Sequence, residues 1–261
     1  MNLSSPFLSL PRFPSAKRFK PSIIRSSGNS TNYDVKEEKM DVEEIRVCTN
    51  RTCRRQGSLE ILQILSGLSP SGVSVNSCGC LGRCGSGPNV VVLPQALFVG
   101  HCGTPSKAAR LMISLVFGGD SSDEVERKSR ECLEALALRK RAEDEIDKGN
   151  FDEALVLLSQ AINLKPIGGV HIMYKSRSTA RLAVGNISGA LEDAREALAL
   201  APKYAEAYLC QGDVLMAMDQ IDSAEKSYAM ALDFEPSLRR SKSFKARIAM
   251  LQEKLTPADP S

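Results

Sequence analysis

Four cysteines stand in two close pairs. Cys48 and Cys53 enclose four residues in "CTNRTC", and Cys80 and Cys84 enclose three in "CLGRC". Thiolates are soft, charged ligands that suit zinc or iron–sulfur centres. A 2Fe–2S cluster takes four such ligands, two per iron. The second pair is surrounded by Gly79, Gly82, Gly85 and Gly87. A loop wrapped around a bulky group needs positive φ angles and close backbone approach, which glycine supplies at least cost. The N–H groups such a loop exposes can donate to sulfur and tune it. Structural zinc sites usually space paired cysteines more tightly. Cys78, two residues before Cys80, leaves a thiol–disulfide site as a third reading.

Other residues of chemical interest have blander readings. Cys102, Cys132 and Cys210 are isolated in sequence and read as small, buried apolar side chains. His101, beside Cys102, reads as a surface histidine, and His171 has no partner in sequence. No nucleophile elbow, phosphate loop or dinucleotide fingerprint is present, so nothing in the sequence marks an enzyme.

The cysteine pairs need strand ends and loops to hold them. "EEIRVCTN" reads as a strand ending in a cysteine loop, and "SLEILQILSGL" as a short helix. "GVSVNSC" alternates as a strand, and "PNVVVLPQALFVG" as a hairpin around Pro94 and Gln95. "TPSKAARLMISLVF" is a helix with Thr104 as N-cap and Pro105 in its first turn. The expected order is β-α-β-β-α over residues 45–117, followed by a charged linker over 118–130.

This segment resembles the thioredoxin-like 2Fe–2S ferredoxins, including the corresponding domain in a small iron–sulfur subunit of respiratory NADH dehydrogenases. "CTNRTC" after the first strand and "CLGRCGSGPNVVV" carry the resemblance. It implies a thioredoxin-like α/β fold and a 2Fe–2S cluster held by Cys48, Cys53, Cys80 and Cys84. Cys80 rather than Cys78 has the family's spacing to Cys84.

From residue 131 to 255 the chain reads as all-α with an internal repeat. Pro166, Pro202 and Pro236 are 36 and 34 residues apart, and small residues recur upstream at Ala154/Ala161, Ala190/Ala197 and Ala224/Ala231. "GNFDEALVLLSQAINLKP", "GNISGALEDAREALALAP" and "DQIDSAEKSYAMALDFEP" resemble tetratricopeptide repeats. The resemblance implies three helix pairs, an end helix, and a groove for a protein partner. The first inter-repeat loop carries a two-residue insertion around "IGG" (167–169). One subclass of these repeats grips the acidic tails of chaperones through cations and asparagines. At the matching positions this chain has Arg139, Glu143, Ser176, Glu206 and Cys210. Only Arg139 keeps its cation, so the expectation is a groove for a neutral or basic segment. The basic run Arg239, Arg240, Lys242, Lys245 and Arg247 reads as the solvated face of the end helix.

The formal charge of +3 over 261 residues hides an uneven distribution. Residues 1–33 hold five basic groups and no acid. The remainder is close to neutral, which argues against nucleic acid as a general partner. The segment 1–33 is rich in Ser and Arg and lacks a continuous apolar run. That composition implies an organelle transit peptide, for the chloroplast ahead of the mitochondrion. Residues 34–44 read as a linker and 256–261 as a tail. No apolar run is long enough for a membrane span, which leaves a stromal or peripheral thylakoid location.

The expected protein is a chloroplast iron–sulfur adaptor. It would bind a 2Fe–2S cluster for electron transfer or redox sensing and hold a protein partner in its repeats, in assembly or regulation of an organelle complex. Two alternatives are a non-redox, co-chaperone-like binding module with a structural cluster or zinc, and an electron-transfer subunit of a multi-chain oxidoreductase.

Overall fold

The computed structural model describes residues 42–118 and 122–255, leaving aside the side chain of Ser122. The expected transit peptide (1–33), most of the first linker and the tail (256–261) lie outside the described residues. Everything described belongs to one compact unit, Glu37–Ser261.

The first part is a small mixed sheet. Strand β1 (Glu44–Cys48) lies between β2 (Ser74–Cys78), parallel to it, and β3 (Val90–Leu93), antiparallel to it. Strand β4 (Leu97–Val99) completes the order β2-β1-β3-β4 as a hairpin with β3. The strands alternate as a half-buried sheet requires. Ile45, Val47, Val90 and Val92 are fully buried, while Arg46 between the first two is exposed. Helices α2 (Ser58–Leu68) and α3 (Pro105–Phe117) cover the buried face with Ile61, Leu65, Met112 and Ile113. The Thr104 hydroxyl accepts from the Lys107 N–H at the start of α3, as its sequence implies. One element was not foreseen: a single helical turn, α1 (Arg51–Arg55), inside the first cysteine loop.

The expected linker over 118–130 is mostly helix. Helix α4 runs from Ser122 to Asp147, 26 residues without interruption. Its charge-rich start looks like a solvated connector, but the charges pair along the helix, Arg127 with Glu131 at 2.7 Å and Lys128 with Glu124 at 3.1 Å. Such pairs each add only a few tenths of a kcal/mol, roughly. The larger reason is one apolar stripe. Val125, Cys132 and Leu136 are buried in the core of the sheet domain, and Ser129 between them turns its hydroxyl back to the Val125 carbonyl.

The second half of α4 belongs to another core. Ala135 and Ala142 are buried with Ala154, Leu157, Leu158 and Ala161 of α5 (Phe151–Asn163) and Met173 and Ala180 of α6 (Val170–Ala183). Further pairs follow: α6 packs on α7 (Ile187–Leu200), and α8 (Ala205–Ala217) on α9 (Ile221–Phe234). A last helix, α10 (Lys242–Leu255), closes the array with Phe244 and Leu251 buried. The repeated alanines at 154, 161, 190, 197, 224 and 231 are all fully buried.

The sheet domain and the helical array are joined by more than α4. The loop before α6 reaches back to α2. Ile167 packs against the sheet domain's core, and the Gly169 N–H donates to the Ser69 carbonyl at 3.3 Å. A Cβ at Gly168 would collide with the Leu68 carbonyl oxygen, and one at Gly67 would stand 2.6 Å from the Leu136 side chain. The "IGG" insertion is therefore a docking loop as well as a connector.

Candidate functional site

The cysteine site is assembled at one end of the sheet. Cys48 closes β1 and is buried. The Asn50 side chain caps α1 by accepting from the Arg51 N–H, and that turn rotates Cys53 inward until it too is buried. Cys80 and Cys84 lie on the following loop, both exposed, with their sulfurs 3.7 Å apart. Gly82 takes a φ of +78°, and its N–H donates to the Cys80 sulfur at 3.4 Å. Gly87 is required by close approach, because a Cβ there would stand 3.0 Å from the Cys53 sulfur.

The two pairs share one electrostatic neighbourhood. Burial pushes the Cys48 thiol up, but N–H donors at Asn50 and Leu81 and the Cys53 thiol outweigh it, leaving Cys48 below an ordinary thiol. Leu81 belongs to the second loop, so that contact ties the loops together. Burial raises the Cys53 thiol, and Cys48 and Cys84 raise it further against an opposing backbone donor at Asn89. Cys84 is raised chiefly by its neighbour Cys80, while Thr52 of α1 opposes the rise. Cys78 pairs with Cys48 across the β1–β2 ladder. Its thiol is raised by burial and then by Cys48, so it faces the buried pair.

Asn89 was not singled out in the sequence. It is buried, donates to the Arg83 carbonyl at 2.8 Å, and directs the same amide at the Cys53 sulfur at 3.7 Å. It holds the second loop against the first. Its place in "GPNVVV" was visible, but its use as a brace depends on the fold. Among the described residues, no three His, Cys, Asp or Glu side chains are grouped so that they could hold a single metal ion.

The remaining cysteines are buried. Cys102 and Cys132 sit in the sheet domain's core, where burial pushes the Cys102 thiol up to about 11. Cys210 is not simply apolar, since its thiol donates to the Ser178 hydroxyl at 3.1 Å. His101 is exposed, with a φ of +56°. His171 does have a partner. It meets the Tyr204 ring edge-on at 5.1 Å beside a cavity of about 280 Å³ between the α2–β2 loop and the array.

The five positions matched to a chaperone-tail clamp do not form one. Arg139, Ser176 and Cys210 are buried, Glu143 is half-buried and Glu206 is exposed. The Arg139 guanidinium lies against the Gly67–Gly169 junction, with Glu143 3.4 Å from its Nε. Its Nη1 has no hydrogen-bond partner among the described residues. The array's other strong ion pairs are internal clips. Arg177 grips Asp193 through two nitrogens at 2.7 and 2.9 Å, and Arg247 of α10 grips Asp213 of α8 at 2.7 Å through two. No helix among the described residues is long and apolar enough to cross a membrane.

No protein-family model matches the chain. It is 28% identical over 109 residues to a STIP1 homolog of Dictyostelium discoideum, covering 42% of this chain and 19% of that protein. It is 27% identical over 104 residues to a Plasmodium falciparum Hsp70-Hsp90 organising protein, covering 40% of each. The chain thus spans between about a fifth and two fifths of these relatives. Among solved structures, the first TPR of Spaghetti (RPAP3) bound to an HSP90 peptide shares 22% identity at a TM-score of 0.42, covering 48% of this chain and 94% of that one. The Arabidopsis OM64 TPR domain shares 20% at 0.42, covering 47% and 98%. The described chain is an array of paired helices joined to a small mixed sheet, and about two fifths of it is similar in sequence to a STIP1 homolog and to an Hsp70-Hsp90 organising protein.

Proposed function

We propose that the chain is a protein-binding adaptor of co-chaperone-like type, without catalysis of its own. The observation that carries this reading is the TPR-like array itself, with its likeness to Hsp70-Hsp90 organising proteins. Its cargo differs from an acidic chaperone tail. The cation at the matching position is buried against the junction, and the charges left at Glu143 and Glu206 are negative. Like charge facing a carboxylate costs roughly several kcal/mol in an interface. A neutral or basic segment suits this groove better. Calorimetric titration of the full chain with an acidic chaperone-tail peptide and with a basic peptide tests the reading. Binding of the basic peptide, weakened by Glu143→Gln/Glu206→Gln, is expected. Micromolar binding of the acidic tail that Arg139→Ala abolishes would overturn it.

The sheet domain supplies a second proposal. The strand order β2-β1-β3-β4, with parallel β1–β2 and an antiparallel hairpin, supports a thioredoxin-like fold. The donor set fits a 2Fe–2S cluster in its chemistry: two buried and two exposed thiols, with backbone N–H groups reaching Cys48, Cys53 and Cys80. Cys48, Cys53, Cys80 and Cys84 would hold the cluster, which when bound carries one electron. The chain's own part would be to keep the buried pair dry and leave the Cys80–Cys84 side open to a partner. Chloroplast residence, from the acid-free segment 1–33, is part of the same proposal.

A further inference from the structure

The loops that carry the cysteines also carry an unopposed set of cations. Arg51, Arg54 and Arg55 of α1 are exposed, and none of them is in an ion pair among the described residues. Arg83, next to Cys84, is exposed as well, with its guanidinium lying over the Phe98 ring at 4.2 Å. No Asp or Glu occurs between Glu60 and Asp120 in the sequence, so the second loop, the hairpin and α3 bring no counter-charge. Thr52 of α1 touches Cys84, which puts α1 and the second loop side by side. Three exposed arginines therefore stand on the turn that touches Cys84, and a fourth, Arg83, precedes Cys84 in the chain.

We propose that this arginine-rich surface docks the carboxylate-rich face of a partner protein over the Cys80–Cys84 sulfurs. Two features favour an acidic protein over other polyanions. The exposed residues of α1 and of the second cysteine loop include no aromatic side chain, and the guanidinium of Arg83 lies over the Phe98 ring beside them, whereas single-stranded nucleic-acid sites use aromatic platforms. The turn α1 exposes no apolar side chain, its Cys53 being buried, so it has no anchor for a lipid surface. Exposed charge pairs contribute more to the rate and orientation of encounter than to affinity, so the complex is transient and sensitive to salt. This surface lies on the sheet domain, apart from the groove of the array, and its argument requires neither the bound cluster nor the groove's cargo.

The test uses the full chain and a fluorescent glutamate-rich peptide, with oligo-uridylate and phosphatidylglycerol vesicles as rival probes. The peptide is expected to bind with a dissociation constant that rises at least about tenfold from low to physiological salt. Arg51→Gln/Arg54→Gln/Arg55→Gln should weaken it at least about tenfold with the melting temperature unchanged, while the three Arg→Lys replacements keep most of the binding. Arg239→Gln/Arg240→Gln/Lys242→Gln on the end of the array should leave it unchanged. Absence of binding, binding insensitive to the α1 variants, or binding lost with the C-terminal set would overturn the proposal. Tighter binding of oligo-uridylate or of the vesicles would overturn the assignment of the occupant.

Discussion

A methyl group on Gly168 would stand 2.5 Å from the carbonyl oxygen of Ser69. The two residues come from different halves of the chain, and their approach lets the loop before α6 lie flat on the end of α2. Backbone atoms cannot yield as a flexible side chain can. Gly168→Ala should therefore lower stability by roughly 1–3 kcal/mol. Gly67→Ala, which meets only the movable side-chain ends of Leu136 and Arg139, should cost less. Thermal unfolding of both variants checks the order, and an unperturbed Gly168→Ala protein would show that the junction is looser than drawn.

The junction also shows where sequence reasoning stops. The strands, helices α2 and α3, the Thr104 cap and the helix pairs each follow from a local pattern of period two or about 3.6 and are in the fold, although the order β-α-β-β-α is one strand and one helical turn short of it. Helix α4 has such a pattern in Val125, Cys132 and Leu136, but dense charges mask it, and its two halves serve different cores. The "IGG" insertion was plain as an irregularity of the repeat. Its contact with α2 spans about a hundred residues of sequence, and no local signal reports a partner at that distance. The cysteine pairs were visible by type and spacing. The brace at Asn89 and the turn at α1 were not, because both depend on how the loops meet.

The end of the array hangs on Asp213. Its carboxylate accepts from Arg247 of α10 and, at 2.8 Å, from the buried Tyr228 hydroxyl of α9. The exposed part of this network is worth little, about 1 kcal/mol or less for the ion pair. Stranding a buried hydroxyl costs more, roughly 1–3 kcal/mol. Asp213→Ala should lose about that sum and expose α10 to protease. Asp213→Asn, which keeps an acceptor for Tyr228, should lose less. Urea unfolding of the two variants separates the contributions, and equal losses would mean that Tyr228 finds another acceptor.

His171 gives the junction a dependence on pH. Burial, and then the nearby Arg139 cation, hold its imidazole below the ordinary histidine value. The unfolded chain therefore takes up this proton at a higher pH than the folded one. The contribution of His171 to stability is intact above the ordinary value of about 6.5 and is lost as pH falls below it. In His171→Gln, the drop in melting temperature between neutral and mildly acidic buffer should narrow. An unchanged drop would assign the acid sensitivity to other groups.

The cluster proposal turns on which thiols are needed. Cys48 and Cys53 form the buried pair, and Cys80 and Cys84 face each other at the surface. Cys78 faces the buried pair from the neighbouring strand. If four thiols hold two irons, replacing either exposed ligand leaves one iron short of a sulfur donor. Cys80→Ser and Cys84→Ser should each remove most of the iron and acid-labile sulfide from protein purified without oxygen. Cys78→Ser should retain both. A purified wild-type chain with stoichiometric zinc and no labile sulfide would sink the cluster reading. Iron retained in Cys80→Ser but lost in Cys78→Ser would keep the cluster and move the fourth ligand from the second cysteine loop to the end of β2. Visible absorption of the four proteins, set against their metal content, distinguishes these outcomes without any assay of partner or activity.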